Sequence, residues 1–150
     1  IGLMALGSMG FSAMRRGQAR GLAVQGLSRT AELQQKHQLA EAAKAAGEAL
    51  VQAELSGDKP LQVKAHRSVA GLADSLEEWG KASSHYQSAL HLEHPVNLVE
   101  AQKQLDLDRC RKAEQLLELG RQKIAAHDSV AALKYTSGAG LLLEMPPEVG

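Results

Sequence analysis

The apolar positions of this 150-residue chain recur mostly at three- and four-residue steps. That spacing places them on one side of an α-helix, whereas a half-buried strand would alternate every two residues. The helical pattern covers residues 18–33, 39–55, 63–76, 79–92, 96–126 and, more briefly, 130–143. The chain is therefore predicted to be all-α, with the first two of these stretches packed as an antiparallel pair.

Breaks in this pattern predict where the helices end. Gly57 can end a helix in the left-handed conformation, and Asp58 shortly before Pro60 can start the next one. Pro95 is predicted to close the fourth stretch, because proline cannot donate a hydrogen bond to a continuing helix. The polar residues 34–38 mark a break after the first stretch, and His127-Asp128-Ser129 supplies a break with capping residues before the last.

The first fourteen residues contain no charged side chain and are followed by Arg15, Arg16 and Arg20. A fourteen-residue helix spans about 21 Å, which is shorter than the roughly 30 Å hydrocarbon core of a bilayer. Three hypotheses remain open: residues 1–14 are the end of a transmembrane helix cut from a longer protein, they form a buried first helix, or they are a flexible end that contains a few apolar residues. We accordingly divide the chain into an apolar segment (1–16), a helical-repeat domain (17–145) and a tail (146–150).

Composition supports the all-α prediction and limits the functions. The chain has 24 Ala and 23 Leu, but only 12 residues of Val, Ile and Thr and four aromatic residues, so it lacks the side chains that cover a large sheet. Its 17 basic and 17 acidic residues cancel, which argues against extended binding to nucleic acid. Cys110 is the only cysteine, so no internal disulfide forms; a cytoplasmic location, or one at the cytoplasmic face of a membrane, is predicted.

The chain matches itself when it is shifted by forty residues. The paired positions are Leu39 with Trp79, Ala42 with Ala82, Ala46 with Tyr86, Ala49 with Ala89, and Leu50 with Leu90. In this order of alanines, aromatics and leucines the chain resembles the second helix of a tetratricopeptide repeat. A weaker third copy is predicted at Ala131, Tyr135 and Leu141, where Gly138 replaces the later alanine. Ala70 and Ala73 depart from the glycine and the aromatic that the family usually has.

The resemblance implies antiparallel helical hairpins, stacked as a short solenoid or bundle, whose first helices line a groove for a peptide or a partner helix. Carried onto the best repeat, the groove positions are Lys64, Arg67, Gly71, Asp74 and Ser75. Lys64 and Arg67 would then hold a carboxylate or the backbone carbonyls of a peptide. For any single one of these residues, the alternative is an ordinary charge or hydroxyl on a solvated helix face.

Candidate catalytic and metal-binding residues are few. His85, His91 and His94 lie close in sequence, but tetrahedral zinc needs three or four ligands, and the HExxH order is absent. Cys110 has an apolar register that predicts a buried seam with Ala113, Leu117, Gly120 and Ile124, not an exposed nucleophile.

No catalytic motif is present in the sequence, so neither an enzyme nor a cofactor nor a metal is predicted. The first functional hypothesis is a protein-binding scaffold. The second is a structural juxtamembrane segment of a larger receptor or sensor, with oligomers open in either case.

Overall fold

The protein is all-α. The structure, a computed structural model, describes residues 2–93 and 96–144, with side chains from residue 10 onward. No strand occurs in these ranges. Six helices follow one another: α1 (Gly2–Gln35), α2 (Leu39–Ser56), α3 (Lys59–Ser75), α4 (Trp79–Glu93), α5 (Leu98–Ala125) and α6 (Ser129–Glu144).

Consecutive helices pack as three antiparallel hairpins, α1/α2, α3/α4 and α5/α6. The hairpins are joined by contacts of α2 with α3 and of α4 with α5, and by contacts of α1 with α3 and of α4 with α6. Each hairpin thus lies against the one before it, and the predicted all-α stack of hairpins is confirmed.

The turn inside each hairpin has the same geometry. His37, Glu77 and His127 all have a positive φ, of 57°, 62° and 58° respectively. In each turn this residue donates its N–H to the carbonyl three residues earlier, and the next N–H reaches the carbonyl five residues earlier, as in a Schellman motif. The first and second turns lie forty positions apart, and the second and third turns lie fifty positions apart. The spacing of the first two turns therefore equals the forty-residue shift found in the sequence.

The turn between α2 and α3 has the residues that the sequence predicts for it. Gly57 is left-handed, with φ 72°, and ends α2. Asp58 caps α3 by accepting a hydrogen bond from the Leu61 N–H (3.2 Å), and Pro60 lies in the first turn, where its missing N–H costs nothing.

Small residues allow the first two helices to approach closely. A Cβ added to Gly26 of α1 would lie 2.8 Å from the Cβ of Ala49 in α2, so only glycine fits at this crossing. The buried cluster formed by α1, α2 and α3 consists of Ala23, Ala42, Ala46, Leu50, Ala53, Leu61, Ala65, Val69 and Leu72. The small alanine side chains of α2 therefore form much of this core.

The second cluster is built around Trp79, which is 7% exposed and begins α4. It contacts residues of the last hairpin: Ala113, Leu116, Ala139 and Leu142, with Tyr135 against its ring at a centroid distance of 5.9 Å. Gly138 lies directly under the indole, since a Cβ there would be 2.3 Å from Trp79 Cε3. The glycine that weakened the third copy in the sequence is thus a packing requirement of the fold.

The register predicted for that third copy is off by one residue. Counted from the shared turn, the position of Ala42 and Ala82 is occupied by Ala132, which is 5% exposed, and not by Ala131. Tyr135 and Leu141 are displaced by one residue in the same direction, and the Tyr135 ring packs on Trp79 of the neighbouring hairpin. The sequence comparison aligned Tyr135 with Tyr86, whereas the positions counted from the turns differ from that alignment by one residue.

The seam predicted on α5 is partly wrong. Ala113 and Gly120 are buried, but Cys110 is exposed and Ile124 is 63% exposed. The buried face runs instead through Ala113, Leu116 and Gly120, which all lie in the second half of α5. Cys110 lies about 60° around the helix from Ala113 and about 90° from the centre of the buried face, and it faces solvent.

The apolar N-terminal residues are part of α1, which runs unbroken across the boundary placed after residue 16. Phe11 and Met14 are 60% and 64% exposed, and Arg15 lies over the Phe11 ring. Among the described residues, no helix has both the length and the apolar character needed to cross a membrane. The tail, 146–150, and His94 and Pro95 lie outside the described residues.

Candidate functional site

The residues predicted to bind a partner share one face of α3. At 100° per residue, Lys64, Arg67, Gly71, Asp74 and Ser75 fall within one side of the helix, opposite its buried positions. The fold needs the other side for its core, so this face is left to line the surface. Two hollows open along it.

The first hollow, here called the α1/α3 groove, has a volume of about 510 Å³. It is lined by Leu27 and Gln34 of α1 and by Lys64, Arg67, Ser68 and Gly71 of α3. The structure therefore brings Lys64, Arg67 and Gly71 together as the sequence predicts, and adds two α1 residues and Ser68, which sequence reasoning missed. No local sequence pattern indicates these residues, because their place at the groove depends on how α1 crosses α3.

The two cations of the α1/α3 groove differ in their surroundings. The Arg67 guanidinium is paired with the Glu93 carboxylate at the end of α4. Lys64 is exposed, and no carboxylate among the described residues lies within salt-bridge distance of its ammonium. The groove thus combines a positioned guanidinium, an ammonium without a carboxylate partner, the Ser68 hydroxyl and the apolar Leu27.

The second hollow, the α3–α5 cleft, has a volume of about 180 Å³. It lies where the end of α3 meets α4, α5 and α6, and is lined by Asp74, Trp79, Ala82, Ser83, Tyr86, Leu105, Asp108, Arg109, Lys112 and Leu142. Asp74 thus belongs to this cleft and not to the α1/α3 groove. Its carboxylate lies 3.6 Å from the Lys112 ammonium, and together with burial it raises the pKa of the nearby Tyr86 hydroxyl, burial being the larger cause.

Ser75, the last of the predicted residues, lines neither hollow. It is exposed, and its hydroxyl donates to the Gly71 carbonyl one turn earlier (3.0 Å). Of the predicted set, the structure therefore groups Lys64 and Arg67 in one hollow, places Asp74 in the next, and leaves Ser75 outside both.

A histidine pair that was not predicted joins α3 to α4, with one member buried and the other half-buried. His66, 9% exposed, and His85 of α4 share a hydrogen bond between their Nδ1 atoms of 2.9 Å, and Glu54 of α2 lies 3.8 Å from His66 Nε2. Burial lowers the pKa of both imidazoles, and for His85 the charges of His66 and Lys81 lower it further. The residues are nineteen positions apart, so no local pattern could have paired them.

The histidines considered as metal ligands do not converge in the described part of the chain. His85 bonds to His66, whereas Gln87 contacts His91 Nε2 (2.8 Å), and His94 lies outside the described residues. Within residues 2–93 and 96–144, no group of three or more His, Cys, Asp and Glu side chains is arranged to hold a metal ion.

Comparison with known proteins leaves the site to be interpreted from its geometry. The chain matches no family model, no curated protein and no solved structure. The two hollows along one face of α3 are accordingly what the functional interpretation rests on.

Proposed function

We propose that this protein is a non-catalytic interaction scaffold, related in design to tetratricopeptide repeats, that binds an extended acidic segment of a partner protein in the α1/α3 groove. Three consecutive hairpins with equivalent turns support the repeat interpretation. A stack of hairpins places first helices side by side, and the surface between them suits an extended chain.

The observation that carries the proposal is the position of Lys64. Its ammonium is exposed at the α1/α3 groove, and no carboxylate of the described chain neutralises it. A carboxylate of a bound segment would supply that charge. Ser68 and Gln34 at the same groove can bond the backbone of the segment, and Leu27 offers an apolar contact.

The experiment is an NMR titration of the ¹⁵N-labelled protein with a capped eight-residue peptide that carries two adjacent glutamates. We expect the amide resonances of Ser68 and Gly71 to shift, and Lys64→Glu to weaken binding roughly fivefold to tenfold, the range of about 1–1.4 kcal/mol for an exposed charge pair that is reversed. The matched control is Lys44→Glu, which makes the same change of charge at an exposed position of α2 that lines neither hollow.

Equal weakening by Lys64→Glu and Lys44→Glu, at unchanged helicity by circular dichroism, would show a general charge effect and reject the groove. A peptide with lysines in place of the glutamates that binds equally well would reject acidic selectivity. The juxtamembrane role stays a hypothesis from the sequence, because no contact among the described residues favours it over the scaffold.

A further inference from the structure

The α3–α5 cleft has the size and lining of a pocket for one side chain. Its volume is about 180 Å³, and Trp79, Leu105 and Leu142 contribute apolar walls. An apolar cavity of about 150 Å³ in another protein holds a benzene molecule, so this cleft accommodates one six-membered ring. Its lining therefore favours an aromatic or branched aliphatic group over a polar one.

One polar atom of the cleft residues lacks a partner. The Arg109 side chain is 11% exposed, and its Nη2 donates to Asp106 (2.6 Å) and, more weakly, to Gln87 (3.5 Å). Its buried Nε has no hydrogen-bond acceptor among the described residues. A buried donor without an acceptor is unfavourable, and Arg109 lines the cleft, so a small shift of its side chain toward an acceptor oxygen of a ligand would satisfy this donor.

The charges around the cleft indicate which kind of acceptor oxygen a ligand would bring to Arg109. Asp74 is matched by Lys112 (3.6 Å), Asp108 by Arg111 (3.6 Å), and Arg109 by Asp106. With every charge compensated, a free carboxylate has no excess of positive charge to bind. A neutral acceptor next to an apolar side chain fits better, and a peptide provides one in its backbone carbonyl.

The cleft and the α1/α3 groove share no lining residue, but both are lined by residues from one side of α3. Lys64 and Asp74 are ten residues apart on α3, which is about 15 Å at 1.5 Å per residue. An extended peptide covers that distance in four or five residues at about 3.3 Å each. A segment lying along α3 can therefore reach both hollows at once.

We propose that the α3–α5 cleft is the anchor pocket for a ring-bearing side chain of the partner segment, four or five residues from the acidic residue that Lys64 holds. This inference rests on the proposed function and names the partner's pattern: an acidic residue, a short spacer and an aromatic residue whose backbone carbonyl accepts from Arg109. The distance along α3 determines the length of the spacer, and the volume of the cleft determines that the side chain carries a single ring.

The test uses the fluorescence of Trp79, the only tryptophan of the chain, which lines the cleft. Three capped peptides carry two glutamates followed by a phenylalanine four residues later, an alanine there instead, or the phenylalanine directly beside the glutamates. We expect only the first to shift the Trp79 emission, and to bind about tenfold or more tightly than the alanine peptide, as loss of a buried ring implies.

Two variants test the protein side. Leu105→Phe narrows the cleft and should remove the preference for the phenylalanine peptide, whereas Leu107→Phe, an exposed position of the same helix outside both hollows, should keep it. Arg109→Met keeps the aliphatic stem but removes the donors, and should weaken the phenylalanine peptide more than the alanine peptide. The peptide comparison needs no variant, so it stands even if a substitution unfolds the chain.

Each outcome supports or overturns one of the two proposals. Equal binding of all three peptides, still weakened by Lys64→Glu, would overturn the anchor pocket and leave the α1/α3 groove intact. Binding by none of them at any concentration tested would overturn the proposed function itself. A shift of Trp79 emission by phenol alone, with no difference between the peptides, would assign the cleft to a free small ligand and also overturn the anchor.

Discussion

The contact between Trp79 and Gly138 allows the packing of the hairpin stack to be tested by adding one methyl group. In Gly138→Ala, the new Cβ would lie 2.3 Å from Trp79 Cε3 and 2.5 Å from Cζ3, whereas carbon atoms pack at about 3.5–4.0 Å. The indole would have to move by more than 1 Å, although Leu116, Ala139, Leu142 and Tyr135 surround it. Overpacking of this kind costs about 1–3 kcal/mol.

The gain of helix propensity acts in the opposite direction. Alanine is favoured over glycine inside a helix by about 0.5–1 kcal/mol, so the net loss expected for Gly138→Ala is about 0–2.5 kcal/mol, with a central value of about 1.3 kcal/mol. Gly140→Ala is the matched control, because it makes the same change two residues along α6 with nothing within 4 Å of the new Cβ. The difference between the two variants removes the propensity contribution and leaves the packing cost.

The assay is urea unfolding, followed by circular dichroism at 222 nm and by Trp79 fluorescence. We expect Gly138→Ala to unfold at lower urea than the wild type, with altered Trp79 emission, and Gly140→Ala to unfold at equal or higher urea. Equal unfolding midpoints for the two variants would refute the packing of α6 on Trp79.

Two further properties follow from burial. Because burial lowers the pKa of both His66 and His85 below 6.5, the folded state binds fewer protons than the unfolded state below that pH; the free energy of unfolding should be flat above about pH 6.5 and fall as the pH drops below it. The urea midpoint of the wild type should therefore be lower at about pH 5.5 than at about pH 7.5. This difference between the two midpoints should be smaller in His85→Gln and unchanged in His127→Gln, which replaces an exposed histidine. A His85→Gln variant with the same difference as the wild type would contradict this reasoning. The exposed Cys110 thiol should react with a thiol reagent about as fast in the folded protein as in urea. Strong protection of the thiol in the folded protein would show that Cys110 is buried, as the sequence predicted.

The sequence predicted the features of this fold that depend on neighbours along the chain. The turn at Gly57 and Asp58 was predictable because a left-handed glycine and a capping aspartate act within a few residues. The polar residues 34–38 and the capping residues at His127-Asp128-Ser129 indicated two of the hairpin turns, and the turn at Glu77 followed from the periodicity on either side of it. None of the three turns has the glycine that usually marks a left-handed residue.

Features that depend on contacts between helices could not be predicted in this way. The sequence alone makes Gly138 a departure from the repeat pattern, because the Trp79 ring that requires a glycine there lies on another hairpin. Cys110 matched an apolar spacing, but the rotation of α5 against α6 decides which side of that spacing is buried. The candidate site also has a part that the sequence predicts and a part that it does not. The periodicity of α3 places Lys64 and Arg67 on one helix face, whereas the other wall of the groove comes from α1 and depends on the packing of the two helices.

The most direct test of the scaffold proposal is photo-crosslinking from inside the α1/α3 groove. Benzoylphenylalanine placed at Ser68, and in a parallel variant at Lys44 of α2, would be irradiated with the acidic phenylalanine peptide, and the adducts mapped by mass spectrometry. The proposal predicts adducts at Ser68 that Lys64→Glu suppresses, and few at Lys44. Equal yields at the two positions, or a yield at Ser68 that does not respond to Lys64→Glu, would contradict it.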